Sequence, residues 1–356
     1  MKIKTIIKSL KLKTLNIAVI SAFVLLSIVF IYALAANNLA KDLLSKKPIV
    51  FSILIYGNKT VFPNKLDAFI VYYERQTNIL KILSINTDAV VLKKKVKARS
   101  FKEAFFVSMK KSKENAFKTY YEDLDDVFDG KIKADYYFHA DYETISKMLA
   151  NNKNFKNLLS SGTFASAMEE NINQLKLSQN ILNNLKNKSL NSISKIFSAY
   201  SSFDTNISRF SFINLIIRFK LEDISTIFFI MPLKQMSNRL EPPKQDIAKF
   251  IQDVFFAPTD FKLKDKDGFI YIENASQKQK AAYNAALFLR DNGFDVLDWA
   301  TSSSDYAETI IKAYKGNFAF ALALKEVLKC GQIIVSYNSQ TYYNAAIIIG
   351  KDYEQK

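Results

Sequence analysis

Residues 49–56, IVFSILIY, closed by Gly57-Asn58, decide the fold. An almost unbroken apolar run of this length, ended by turn residues, is the pattern of a strand buried on both faces. Such a strand lies centrally in a sheet with helices on both sides. Two further β-rich runs follow at 68–73 (AFIVYY) and 79–85 (ILKILSI), joined as a hairpin by the polar residues 74–78. Helical periodicity then dominates at about 112–128, 142–150, 166–187 and 211–220, with strands near 135–141 and 225–231. The pattern predicts a layered α/β/α domain with a central mixed sheet over 45–235.

Pro232, Pro242, Pro243 and Pro258 fall in a stretch with few regular patterns. Residues 236–266 therefore read as a linker carrying one helix, Gln245 to Phe255. A clean alternation restarts over 267–354: strand Phe269 to Glu273, helix Gln277 to Asn292 closed by Gly293, strands Phe294 to Trp299 and Glu308 to Tyr314, helix Asn317 to Lys329, and strand Ala345 to Ile349. The expected product is a small βαββαβ domain.

Upstream, residues 14–40 carry no charge, and 15–36 (LNIAVISAFVLLSIVFIYALAA) are long enough as a helix to cross a bilayer. The preceding residues 1–14 hold Lys2, Lys4, Lys8, Lys11 and Lys13 and no acid, which keeps that basic tail in the cytoplasm and sends the rest across. The expectation is a single-pass protein of the bacterial cytoplasmic membrane with its bulk outside. A cleaved signal peptide ending near Ala33-Leu34-Ala35 is the alternative, and export is common to both.

The formal net charge of +16 suits a polyanionic partner, but export removes nucleic acid from the candidates. Only six of the fifty basic residues are arginine, a bias that AT-rich coding also produces. The densest run, KKKVKAR at 93–99, lacks the interleaved aromatics of a single-strand groove and reads as a solvated loop. The single histidine, His139, leaves nothing for a His-based zinc site or a Ser-His-Asp triad, and it sits in an alternating strand as a structural residue. No phosphate-binding Gly loop or nucleophile elbow occurs. The acids of 122–129 have the period of a helix's polar face rather than the spacing of a calcium loop. The lone Cys330 excludes an intramolecular disulfide and reads as a small buried apolar residue.

IENAS at 272–276, RDNGFDV at the end of the helix, SSSDYAETIIKAY at 302–314 and IIIGKDY at 347–353 resemble the LytR C-terminal domain, with Ala275 where that family usually has Gly. FSILIYG, then KLDAFIVYYERQTNILKILSINTD at 65–88, KIKADYYFHADYETISKML at 131–149 and ISRFSFINLIIRFKLEDISTIFFIMPLK at 207–234 resemble the LytR-CpsA-Psr domain in order and spacing. The resemblance implies transfer of a glycopolymer from a polyprenyl-pyrophosphate carrier to a cell-wall glycan acceptor, assisted by Mg.

It also assigns residues. Asp67 and Asp88 stand where the family has its catalytic carboxylates, Asp67 being the metal ligand; read structurally, an acid that starts a strand and one that ends a strand equally serve as turn caps. Lys65 stands in place of the first arginine of the Arg-Ser-Asp-Thr motif, and Asn86-Thr87-Asp88 in place of Pro-Arg-Asp. Two later family arginines fall on Gln174 and Leu177, leaving Lys65 and Lys176 as the phosphate-binding candidates. Arginine grips phosphate oxygens bidentately where lysine is a point charge. The residues therefore leave two readings open: a divergent transferase, or a non-catalytic protein that binds a lipid carrier or serves as an envelope scaffold.

Overall fold

Each of the three runs that open the folded part becomes a strand, and their order sets the rest. The computed structural model describes residues 39, 42, 45, 47–57, 63–91, 98–149, 200–222, 224–236, 239–259, 266–314, 316–336 and 341–354. The expected basic tail 1–14, anchor 15–36, helix 166–187 and Lys176 lie outside them. Among the described residues no helix is long and apolar enough to cross a membrane.

Strands β1 (Ile49–Tyr56), β2 (Leu66–Glu74) and β3 (Ile79–Ile85) form an antiparallel meander, and the short β4 (Val90–Val91) and β5 (Arg99–Ser100) pair beside it. Helices α1 (Phe101–Met109) and α2 (Lys113–Phe128) follow, then β6 (Tyr136–Asp141), α3 (Tyr142–Leu149), β7 (Asp204–Thr205), α4 (Arg209–Leu221) and β8 (Ser225–Ile230). A small hairpin, β9 (Lys234–Met236) with β10 (Arg239–Glu241), leads into α5 (Lys244–Phe250), which continues as a π-helical turn over Ile251–Phe255.

The last part comprises β11 (Phe269–Asn274), α6 (Ala281–Asp291), β12 (Asp295–Thr301), β13 (Ile310–Ala313), α7 (Phe318–Leu328), β14 (Gln332–Ser336) and β15 (Ala345–Ile349). It is thus βαββαββ, one strand more than the expected βαββαβ. The added strand, QIIVS at 332–336, is only five residues long and follows directly on the helix and Cys330-Gly331, so its apolar run merges with the helical pattern before it.

That strand joins the two halves. Among the described residues an 11-stranded mixed sheet runs β12-β11-β15-β13-β14-β8-β3-β2-β1-β6-β7, and the junction is the parallel pairing of β14 with β8, from Ile333 opposite Ile227 to Ser336 opposite Ile230. Buried side chains divide by face. One face packs Leu54, Ile70, Leu83, Phe229, Ile270 and Ile333 against α1, α2, α5, α6 and α7. The other packs Phe51, Val71, Ile82, Phe228 and Ile334 against α3 and α4. The segment expected as a linker contributes Ile247, Phe250, Ile251 and Phe255, all fully buried, to the first of these cores.

A second device fastens that segment to the sheet. Lys81, fully buried on β3, faces the Glu74 carboxylate of β2 at 3.4 Å and donates to the Ala257 carbonyl. Its ammonium lies 4.9 Å from the Phe318 ring centroid and 5.4 Å from that of Tyr72. Glu74 in turn accepts from the Thr259 N–H at 2.9 Å and from its hydroxyl at 2.6 Å. Burial pushes the Lys81 ammonium below the usual lysine range, against the pull of Glu74. A buried charge whose partner is removed is far costlier than an exposed one. Lys81→Met should therefore lower stability in chemical denaturation by about 3–5 kcal/mol, and adding Glu74→Gln to it should recover most of the loss.

His139 is structural, as its place in an alternating strand suggests. Its ring lies 4.0 Å from that of Phe117 and stacks at 4.8 Å on that of Tyr137. Nε2 is 2.8 Å from the Tyr121 hydroxyl, and Nδ1 is 3.7 Å from the Asp204 carboxylate. Burial drives the imidazole down to about 4, outweighing the opposing pull of Asp204 and helped by the cation of Lys113. The unfolded chain, with an ordinary histidine near 6.5, then binds the extra proton between those values, so stability is full above about pH 6.5 and is lost as the pH falls towards 4. The loss amounts to about 3 kcal/mol for a shift of this size. Because the chain has one histidine, His139→Gln should abolish this part of the pH slope in urea titrations.

Candidate functional site

The register that stacks β1, β2 and β3 brings the expected residues to one rim of the sheet. β1, β3, β6 and β8 run in the same direction and β2 runs against them. The carboxyl ends of β1 and β3 therefore flank the start of β2. In open α/β sheets ligands bind beyond the carboxyl ends of the strands.

Asp67 is the second residue of β2, opposite Ile55, and is buried. It shares its face of the sheet with Phe69 and the second core. The preceding Lys65 lies at the mouth of this rim, with its ammonium 5.1 Å from the centroid of the Tyr142 ring at the start of α3. The Lys65 carbonyl accepts from the Gly57 N–H at 2.7 Å, closing the crossing from β1 to β2.

Asp88 belongs to the turn after β3, which is built by its neighbours. The Asn86 side chain accepts from the Asp88 N–H at 2.9 Å, and the Thr87 hydroxyl donates to the Leu66 carbonyl at 2.8 Å. Both neighbours are fully buried, so the turn is tied to the base of β2. The Asp88 carboxylate itself points outward and forms an ion pair with Lys102. Asp67 and Asp88 thus share the rim but face opposite sides of the sheet.

Two lysines that motif matching passes over complete this edge. Lys102 stands in the first turn of α1, a helix the periodicity does not announce but whose start is encoded. Ser100 caps the Glu103 N–H at 3.2 Å, and Glu103 reaches back to the Ser100 N–H at 3.1 Å. That is the Ser-x-x-Glu capping box, legible at 100–103. Lys113 opens α2 after the capping Ser112. Its ammonium lies 5.6 Å from the Tyr56 ring centroid and 5.5 Å from that of Phe117. Burial opposes its charge, but Tyr56, Asp204 and Asp141 outweigh burial and hold it above the usual lysine range. Asp141 is engaged as the cap of α3, accepting from the Thr144 N–H at 2.7 Å.

Arginines are placed elsewhere. Arg75 donates to the Ser45 carbonyl at 2.5 Å, and Arg218 pairs with Glu222 at 3.1 Å. Both lie by the β2–β3 turn, at the end of the sheet away from Asp67. Arg99 precedes the cap of α1, opposite Val91. Of the acids at 122–129, Asp123 is buried while Glu122, Asp125, Asp126 and Asp129 face solvent. Among the described residues no group of three or more His, Cys, Asp or Glu side chains is arranged to hold a metal ion. A magnesium ion that keeps its waters needs only one or two protein carboxylates besides substrate oxygens, a requirement that the hard oxygen donors of Asp67 fit. An open surface cavity of about 530 Å³ lies outside the rim, between α2 and the start of β6, lined by Lys118, Tyr121, Asp125, Ile132 and Tyr137 among others.

Comparison with solved structures finds similar proteins over somewhat more than half of the chain. TagV of B. subtilis is 15% identical, with 59% of this chain and 97% of that one covered and a TM-score of 0.44. TagU of B. subtilis is 13% identical, with 60% and 99% covered and a TM-score of 0.40. A TagT bound to LIIa-WTA is 14% identical, with 58% and 89% covered and a TM-score of 0.38. At these identities and scores none of the likenesses speaks to activity. No curated protein matches the chain. The family model described as LytR cell envelope-related transcriptional attenuator matches residues 270–353, the stretch from β11 to the turn after β15. Over those residues the chain is similar to the LytR C-terminal domain.

Proposed function

We propose that this chain is an envelope protein of the LytR-CpsA-Psr type, anchored in the cytoplasmic membrane by residues 15–36. In this reading its rim of lysines and carboxylates handles a polyprenyl-pyrophosphate-linked glycan outside the cell. The observation that carries the reading is that Lys65 and Asp67 on one side of the sheet, and Lys102, Lys113 and Asp88 on the other, all lie at the rim where β1 and β3 end and β2 begins. The match to the LytR C-terminal family in the same chain and the sequence resemblance over 49–235 support it.

A pyrophosphate that is about to lose a phosphate leaving group concentrates negative charge, and fixed cations that meet it lower the barrier. Lys65 and Lys102 approach from the two sides of the sheet, and Asp88 orients the Lys102 ammonium. Lys113 is held in place by the Tyr56 and Phe117 rings. Asp67 would hold a magnesium ion, which when bound supplies further charge to the phosphate oxygens. In the transfer, the acceptor hydroxyl oxygen forms a bond to the phosphorus that carries the glycan. The bond from that phosphorus to the polyprenyl-phosphate oxygen breaks, the hydroxyl proton passes to solvent or a carboxylate, and polyprenyl phosphate leaves. Each lysine offers a point charge instead of a planar fork, so turnover slower than an arginine-bearing site would give is expected.

The test is release of polyprenyl phosphate by the full chain in detergent, given a polyprenyl-pyrophosphate-linked glycan and magnesium. Asp67→Asn should abolish release. Lys102→Ala and Lys65→Ala should each lower it by about 10²-fold, the usual cost of one donor at such a site. Absence of release from any lipid-linked donor, with lipid binding unchanged in Asp67→Asn, would establish the non-catalytic reading instead.

A further inference from the structure

Beyond the rim, the molecule's most unusual surface is aromatic and lies at the other end of the sheet. Both helices of residues 270–353, α6 and α7, cover the face that carries Ile270, Ile272 and Val296. The opposite face of β11 presents Phe269, Tyr271 and Glu273, and the loop before β15 adds Tyr342 and Tyr343. Phe269 and Tyr342 are parallel to within 3° with centroids 5.3 Å apart, and Tyr271 and Tyr343 stack at 5.3 Å and 29°. Tyr342 meets Tyr343 edge-on at 6.1 Å. The loop is fixed to the strand: Asn344 donates from its N–H to the Phe269 carbonyl at 2.8 Å, and its side chain accepts from the Phe269 N–H at 3.1 Å. Tyr342 is exposed to 67% and Phe269 to 36%, while Tyr271 and Tyr343 are half-buried beneath them. A rigid cluster of exposed aromatic side chains is a binding surface more often than an accident of packing.

The registers show what stands beside them. Tyr271 is opposite Asp298 on β12 and Ala346 on β15, and Ala346 is opposite Lys312 on β13. Across the sheet the row is therefore carboxylate, ring, small residue, ammonium, with Glu273 two residues further along β11. Ala346 leaves a shallow floor between the Tyr271 ring and Lys312. Burial pushes the Lys312 ammonium below the usual lysine range, against the pull of Glu273.

We infer that this face is a saccharide-binding platform on which Tyr271, Tyr343, Phe269 and Tyr342 stack against sugar rings while Asp298, Glu273 and Lys312 hydrogen-bond their hydroxyls. A pyranose ring has a face of C–H groups that fits against the electron-rich face of an aromatic ring, and a rim of hydroxyls that both donate and accept. The acceptors Asp298 and Glu273 and the donor Lys312 match that rim. An anionic polymer would meet the two carboxylates, and an apolar protein surface would leave three charges dry. The ligand class is therefore an uncharged glycan strand. The inference does not rest on transferase activity at Asp67.

Calorimetric titration of the full chain in detergent with the tetrasaccharide of N-acetylglucosamine tests this. Binding is expected in wild type and, unchanged, in Asp67→Asn, so failure of transfer and failure of the platform are separate results. Tyr271→Ala and the exposed-loop variant Tyr342→Ala should each weaken binding by about tenfold or more, with the latter too exposed to perturb folding. No heat of binding at millimolar tetrasaccharide, binding equal in wild type and both variants, or preferential binding of poly(glycerol phosphate) would each overturn the proposal.

Discussion

Four residue pairs between β14 and β8 hold the two halves of this chain in one body. Parallel pairing at the middle of an 11-stranded sheet buries both strands on both faces, and β8 supplies Ile227, Phe228 and Phe229 as fully enclosed partners. Around that seam the buried Lys81–Glu74 pair reaches out to the chain at 257–259, so the connecting segment is fastened to the sheet by hydrogen bonds as well as by apolar packing. An ion pair of this kind adds little net stability over an apolar replacement, but it penalises every arrangement that leaves either charge unmet. Its effect is to specify where the connection must lie and, through Phe318, where α7 sits relative to β3.

The elements legible in the sequence are those whose burial gives a strong pattern. IVFSILIY and the hairpin of β2 and β3 are almost wholly buried, and their continuous apolar runs mark interior strands, although β1 stands third from one edge of the sheet rather than at its centre. In α2, with Ala116, Tyr120, Leu124 and Val127 inside, the helical period is plain. The elements that periodicity does not announce are short or locally coded. β14 has five residues, and its importance comes from pairing with a strand about a hundred positions earlier, which no local pattern records. α1 has only nine residues, too few for a periodic signal, although its capping box was visible. Lys102 and Lys113 reach the candidate site because capped helices start there, whereas motif matching looks only at aligned positions.

In the proposed reading the rim offers point charges where the resembling family has fork-shaped cations, and the surroundings would compensate in part. Lys65 and Lys113 lie near aromatic rings, which attract a cation and limit where its long side chain can go. Lys102 is oriented by Asp88. Orientation is what an arginine fork supplies without help. A lysine fixed by a ring or a carboxylate recovers some of that preorganisation, at the cost of sharing its charge with the group that holds it. Asp88 is the clearest case: in the proposed transfer, as the partner of Lys102, it would be less suited to take a proton from an acceptor and would serve as a positioning group.

The shared sheet also fixes how far apart the two proposed sites stand. The row that begins at Tyr271 continues through Ala346, Lys312, Ile334, Phe228 and Ile82 to Val71, six strand spacings in all, or about 29 Å at the usual separation of strands. Asp67 lies four residues along β2 from Val71 and on the same face, about 13 Å further in the perpendicular direction. Were the halves joined only by a flexible tether, a glycan held by the aromatic face would sample many positions relative to the rim. With β14 locked to β8 there is one separation, about 32 Å in a straight line, and because α3 and α4 cover Ile334, Phe228, Ile82 and Val71 on this face, a glycan touching both sites would have to pass around those helices. If both proposed surfaces bind glycan, the continuous sheet holds them at one fixed distance, set by the strand order.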